Sequence, residues 1–148
     1  MNLSLEKQEG EWYSSLPLKG AVYDLVYAAT SEAIVADRLR AVTALGKSND
    51  PRAVRPLADL LCDANPEVRL CAATALGLLK SGRPVDDLIA RLRDRNELAS
   101  IRQQAAGALS AIRSTGALRG LKEFITDEDE DLEIRSYAAD LLRTIGPW

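Results

Sequence analysis

The 148 residues are 47% hydrophobic and 28% charged, the balance of an ordinary globular chain large enough for one core. The formal net charge of −3, from 19 basic and 22 acidic residues, argues against a nucleic-acid binder, and no apolar run approaches the ~20 residues needed to span a bilayer. Histidine is absent, which removes the commonest zinc or iron ligand and the commonest general base, and two cysteines, Cys62 and Cys71, are too few for a disulfide framework or a four-cysteine metal site.

Residues 1–16 lack a basic start followed by an apolar stretch, so no signal peptide is expected and the expected compartment is the cytoplasm. Trp12 and Tyr13 here, and Trp148 at the other end, read as cap residues. A first helix pair is predicted over 17–47. Val22 and Leu25 begin its first helix, and Arg38, Ala41-Val42 and Leu45-Gly46 mark its second, with Asp37 in an otherwise aliphatic slot. The next pair, over 50–80, has Val54, Leu57 and Leu61 at spacings of three and four, then Val68-Arg69, Ala72-Ala73 and Leu76. Over 82–113 the same order returns as Val85, Leu88 and Leu92, then Ile101-Arg102, Ala105-Ala106 and Leu109. Over 116–146 it is Leu118, Leu121 and Ile125, then Ile134-Arg135, Ala138-Ala139 and Leu142. Pro51, Pro66 and Pro84 suit the first turn of a helix, where no N–H is needed, while Gly46 and Gly77 lie at or near helix ends.

The offsets between the residues before each arginine are 68 − 37 = 31, 101 − 68 = 33 and 134 − 101 = 33. A period in this range is the signature of a solenoid, in which one helix pair cannot bury its apolar stripe alone and neighbours complete the core. The predicted fold is therefore an all-α solenoid of about four helix pairs in a single domain. Paired alanines are expected where one pair stacks on the next.

"DANPEVRLCAATALG" and "DPRAVRPLADLL" closely resemble the HEAT-like repeats of the phycobilisome-lyase type. Their pattern is aspartate, valine-arginine, an alanine pair and leucine-glycine, followed by a helix of the form "V..L...L". The resemblance covers roughly 17–146. The third and fourth copies insert two residues between Asp94 or Asp127 and the aliphatic position, and the first copy is degenerate.

The arginine ladder Arg38, Arg69, Arg102 and Arg135 has two readings. One is an anion groove. The other, adopted as the expectation, is an internal ladder pairing with Asp63, Asp94 and Asp127 at the turns, which the planar fork of arginine suits. The acidic run 127–133 fails as an EF-hand loop, because Leu132 and Ala138 stand where glycine and glutamate are needed. It follows a basic segment, 83–122. On a wheel of ~100° per residue, one row of the second helices points away from the first helices. Leu39, Leu70, Gln103 and Ser136 lie there with Thr43, Thr74, Gly107 and Asp140, flanked by Arg40, Cys71, Gln104 and Tyr137. The candidate partner-binding residues are Leu39, Leu70, Thr43, Thr74, Gln103, Arg40 and Tyr137, with Leu39 and Leu70 expected as an exposed apolar pair.

No catalytic, metal-binding or cofactor-binding residue is expected, and no cofactor. The functional expectation is a non-catalytic scaffold or adaptor, monomeric, that binds a protein partner on its concave face, without nucleic acid or membrane. The resemblance implies an alternative: a bilin lyase-like or chaperone-like subunit acting on a phycobiliprotein or another cofactor-bearing protein. It also reaches di-iron hydroxylases of the deoxyhypusine type, whose His-Glu metal motifs cannot exist in a chain without histidine.

Overall fold

The computed structural model describes residues 18–31 and 33–147. The cap segment 1–16 with Trp12 and Tyr13, and Trp148, lie outside the described residues. Eight α-helices and no strand occur among those described: α1 Leu18–Ser31, α2 Val35–Lys47, α3 Val54–Leu60, α4 Pro66–Leu79, α5 Val85–Arg93, α6 Ala99–Ile112, α7 Thr115–Thr126 and α8 Leu132–Ile145. A 3₁₀ turn, Pro51–Ala53, leads into α3.

Local chemistry sets the helix starts. Asn65 precedes Pro66 and accepts hydrogen bonds from the N–H groups of Glu67 (2.8 Å) and Val68 (3.4 Å), satisfying donors that have no partner inside the helix. Asp50, Ser114 and Asp131 do the same for the 3₁₀ turn, α7 and α8. At the far ends of α4 and α6 the chain turns through left-handed residues, Lys80 (φ 54°) and Arg113 (φ 56°).

The even-numbered helices pack directly on one another: α2 on α4, α4 on α6, α6 on α8. The odd-numbered helices lie behind their partners, and among them only α5 and α7 make a substantial contact. The inner row is thus tight and the outer row spread, so the stack is concave on the side of the even-numbered helices. Core residues come from both rows. Leu45, Leu57, Leu76, Leu88, Leu109, Leu121 and Phe124 are fully buried, as are the alanine pairs Ala72-Ala73 and Ala105-Ala106.

Gly46 and Gly77 lie in the last turns of α2 and α4, near the helix ends as expected, and packing gives the reason for glycine there. A Cβ on Gly46 would stand 2.8 Å from the Cα of Ala75, and one on Gly77 would stand 3.1 Å from the Cα of Ala108. Backbone sits against backbone at these crossings, so only glycine fits opposite alanine. No helix among the described residues is long and apolar enough to cross a membrane.

Leu76→Ala and Leu109→Ala are expected to cost about 2–5 kcal/mol each, as buried leucines do. Gly46→Val should cost about 1–3 kcal/mol by forcing α2 from α4. Thr74→Ala, on the exposed face, should stay within about 0.5 kcal/mol of wild type. Urea midpoints with the opposite ranking would refute this assignment of inner and outer faces.

Candidate functional site

The four arginines of the ladder sit at equivalent places near the starts of α2, α4, α6 and α8. Each reaches back to carbonyls of the turn or helix before it. Arg38 Nε donates to Ala29 O at 2.8 Å, Arg69 Nη1 to Asp63 O at 2.8 Å, Arg102 Nε to Leu92 O at 2.7 Å, and Arg135 Nε to Ile125 O at 3.1 Å. Three of them also reach forward to a carboxylate of the next pair: Arg38 to Asp63, Arg69 to Glu97 in a two-pronged bond of 2.9 Å each, and Arg102 to Glu130 at 2.7 Å.

Glu97 and Glu130 take the places expected of Asp94 and Asp127. The two-residue insertion in the third and fourth copies lengthens the turn and brings a glutamate, five residues before Arg102 and Arg135, into the position that Asp63 holds in the shorter turn. Asp94 and Asp127 instead pair with Arg91 (3.3 Å) and Arg93 (2.8 Å). Both glutamate side chains are only 2% exposed, and the Arg102 guanidinium lies 5.8 Å from the centroid of the Phe124 ring. Three carboxylates of the acidic run are used within the fold in the same way. Asp127 accepts the Asp129 N–H, Glu130 holds Arg102, and Asp131 caps α8.

The concave face behaves differently. Thr43 and Thr74 are exposed, and their hydroxyls donate back to Leu39 O (2.9 Å) and Leu70 O (3.1 Å). Leu39 and Leu70 are half-buried instead of forming an exposed pair, and Leu39 packs against the core. The close approach of α2 and α4 partly encloses this row, and Cys71 bridges it, with its sulfur 3.4 Å from the Thr43 hydroxyl. Gln103 and Gln104 are half-buried. Arg40 is exposed and pairs with Asp37 on its own helix, and Asp140 pairs with Arg143 on α8. Tyr137, 40% exposed, leans toward α6.

Sequence reasoning missed Leu78. It is 55% exposed and leans over Gly46, four residues beyond Thr74 on the same face of α4. Its spacing from Thr74 was the signal that could have found it. Other exposed apolar side chains, Tyr23, Tyr27, Ile34, Leu98 and Leu132, are spread over α1 and the starts of α2, α6 and α8. A depression of about 630 Å³ beside Ile125, Ala139 and Leu142 is the open end of the stack, built from positions that mediate contacts between pairs elsewhere.

Burial, the strongest single influence, raises the Glu97 pKa. The hydrogen bonds from Arg69 and from the Leu98 N–H, with the charges of Arg69 and Arg91, outweigh it and hold the carboxyl below the ordinary glutamate value. Asp63 is likewise raised by burial and lowered further by Arg38, the Asn65 N–H and Arg69, with a net fall. A carboxylate depressed in the folded state adds stability above its unfolded pKa, and that stability is lost as pH falls through the folded value. Stability should therefore be level near neutrality and fall as the pH drops below about 5. Glu97→Gln should be less stable than wild type at pH 7 and show a shallower acid loss in urea titrations. An unchanged acid slope would remove Glu97 from this account.

A family model described as HEAT repeats matches residues 24–100, just over half of the chain. Human deoxyhypusine hydroxylase, solved in complex with glycerol, is similar with 27% identity and a TM-score of 0.74, over 82% of this chain and 42% of that one. The complex of CpcE and CpcF of phycocyanin lyase from Nostoc sp. PCC7120 is similar with 25% identity and a TM-score of 0.68, over 98% of this chain and 60% of that one. The chain thus spans less than two thirds of either. None of the curated proteins matches it. The expectation that the protein is not an enzyme is overturned by these likenesses, since both similar structures belong to enzymes and point toward catalysis.

Proposed function

As the chain belongs to the HEAT-repeat family, we propose that it is a protein-binding module of an enzyme that acts on a protein, gripping that protein on the concave face of α2, α4, α6 and α8. In this reading the repeats 17–47, 50–80, 82–113 and 116–146 form one domain. The observation that carries the proposal is the pairing of two exposed apolar side chains, Leu78 and Tyr137, with a central row free of charge on α4 and α6. Leu70, Cys71, Thr74, Gln103, Gln104 and Gly107 make up that row. The charges of Arg40 and Asp140 are each met on their own helix, at its two ends. Exposed apolar side chains beside an uncharged floor suit a protein partner and give no purchase to phosphates. The ladder arginines, Arg38, Arg69, Arg102 and Arg135, then serve the scaffold.

A second reading makes the chain a lyase-like subunit that acts on a phycobiliprotein. The likeness to the phycocyanin lyase complex across 98% of the chain favours it. Titration of the purified protein with chromophore-free phycocyanin, followed by size-exclusion chromatography, tests this directly. Co-elution supports the second reading, and separate elution at concentrations of about 100 μM, weaker than typical specific complexes, refutes it.

For whichever protein is bound, Leu78→Glu and Tyr137→Ala should each weaken binding about 10- to 100-fold while leaving the urea midpoint nearly unchanged. Thr43→Lys and Thr74→Lys should act in the same direction by placing charge on the neutral floor. Wild-type affinity in Leu78→Glu and Tyr137→Ala together would exclude the concave face.

A further inference from the structure

Gly107 stands in the middle of α6, and nothing in the fold asks for it. Glycine is among the poorest helix formers, so a glycine in a helix interior calls for a packing or functional reason. Gly46 and Gly77 have theirs in the backbones of the adjacent helices. A Cβ on Gly107 would meet only one atom within 4 Å outside its own helix, the Tyr137 hydroxyl at 3.9 Å, which is ordinary contact. The space above Gly107 is open and faces the concave surface, in the row of Thr43 and Thr74.

The side chains around that opening share one chemistry. Gln103 and Gln104 precede Gly107 on α6, and Tyr137 borders it from α8. All three are polar and uncharged. None has a hydrogen-bond partner among the described residues, so two carboxamides and a phenol keep donors and acceptors available. A glutamine carboxamide offers one acceptor and two donors, the complement of a peptide group with its N–H and C=O. The absence of charge on this part of α4 and α6 matches a neutral occupant.

We infer that Gly107 is a contact subsite for the main chain of an uncharged polypeptide segment. The missing side chain lets that segment lie against the α6 backbone, Gln103 and Gln104 hydrogen-bond its peptide groups, and Tyr137 closes the side of the subsite. The inference rests on the concave-face reading and adds the chemistry of the occupant: a neutral peptide recognised through its backbone.

Two measurements test it. The first needs no partner. Gly107→Ala should fold and melt about 2–4 °C higher than wild type, because it gains helix propensity without a clash. A lower melting temperature would show that the fold itself requires the glycine and would overturn the inference. The second uses a random dodecapeptide library displayed on phage and selected on the purified wild-type chain. Peptides of net charge near zero should be enriched. Their synthetic forms should bind Gly107→Met and Gln104→Ala at least 10-fold more weakly, and should bind Arg83→Ser, a change away from the concave face, as tightly as wild type. Loss of binding in Leu78→Glu but not in Gly107→Met would keep the concave face and end the Gly107 subsite. Binding unaffected by either would end both. Enrichment of strongly acidic peptides, or of none, would also overturn the proposal.

Discussion

Two helices can touch backbone to backbone only where neither carries a bulky side chain, and this protein arranges that twice, with Gly46 on Ala75 and Gly77 on Ala108. The close inner row follows from those seams. The outer row has one close approach, where Gly120 of α7 receives the Ile89 side chain of α5, but no backbone-to-backbone seam, so it spreads and the difference between the rows bends the stack. At the third step Ser110 and Leu141 stand at the corresponding positions, and α6 and α8 are packed less closely than α2 with α4 or α4 with α6. The face that results is continuous across four helices yet tightest at its first two junctions.

Close seams of small residues set distance but discriminate poorly between registers, since one alanine resembles another. The arginine ladder supplies the missing specificity. Each guanidinium is fixed at its back by a carbonyl of its own pair and, in the first three pairs, at its front by a carboxylate of the next pair, so a pair that slips against the next loses the carboxylate bond. Burying Arg102 with Glu130 carries a desolvation cost that the mutual attraction and the carbonyl bond offset. The net gain in stability from such a pair is small, and its value here lies in fixing one arrangement.

The sequence made the scaffold readable because the scaffold repeats. Arginine and leucine recur at 31 or 33 residues and the alanine pair at 33, and each recurrence is a packing constraint on the same helix face. The partners of the ladder were less readable. Glu97 and Glu130 become visible only once the inserted residues are allowed to shift the acid along the turn. The concave face was hardest of all, because exposure there depends on how far neighbouring helices lean. Leu39 and Leu70 occupy the outward row of the wheel but are half-buried, with Leu39 packed against the core, while Leu78, on the same row, rides over Gly46. A helical wheel treats each helix as isolated and cannot separate these cases.

The ladder also bears on how the chain folds. Its forward links join residues 25 or 28 apart, Arg38 to Asp63, Arg69 to Glu97, Arg102 to Glu130. Closing loops of that size costs little more entropy than forming the helix pairs themselves, because closure entropy grows only with the logarithm of loop length. Such a chain has low contact order, and its structure spreads from neighbour to neighbour instead of awaiting one long-range encounter. The junction of α4 and α6 has a small-residue seam, a two-pronged ion pair and helix pairs on both sides. Opening the chain at that junction breaks the seam and the ion pair together, so local opening costs more there than at the α6–α8 step, which has neither a glycine seam nor a two-pronged pair.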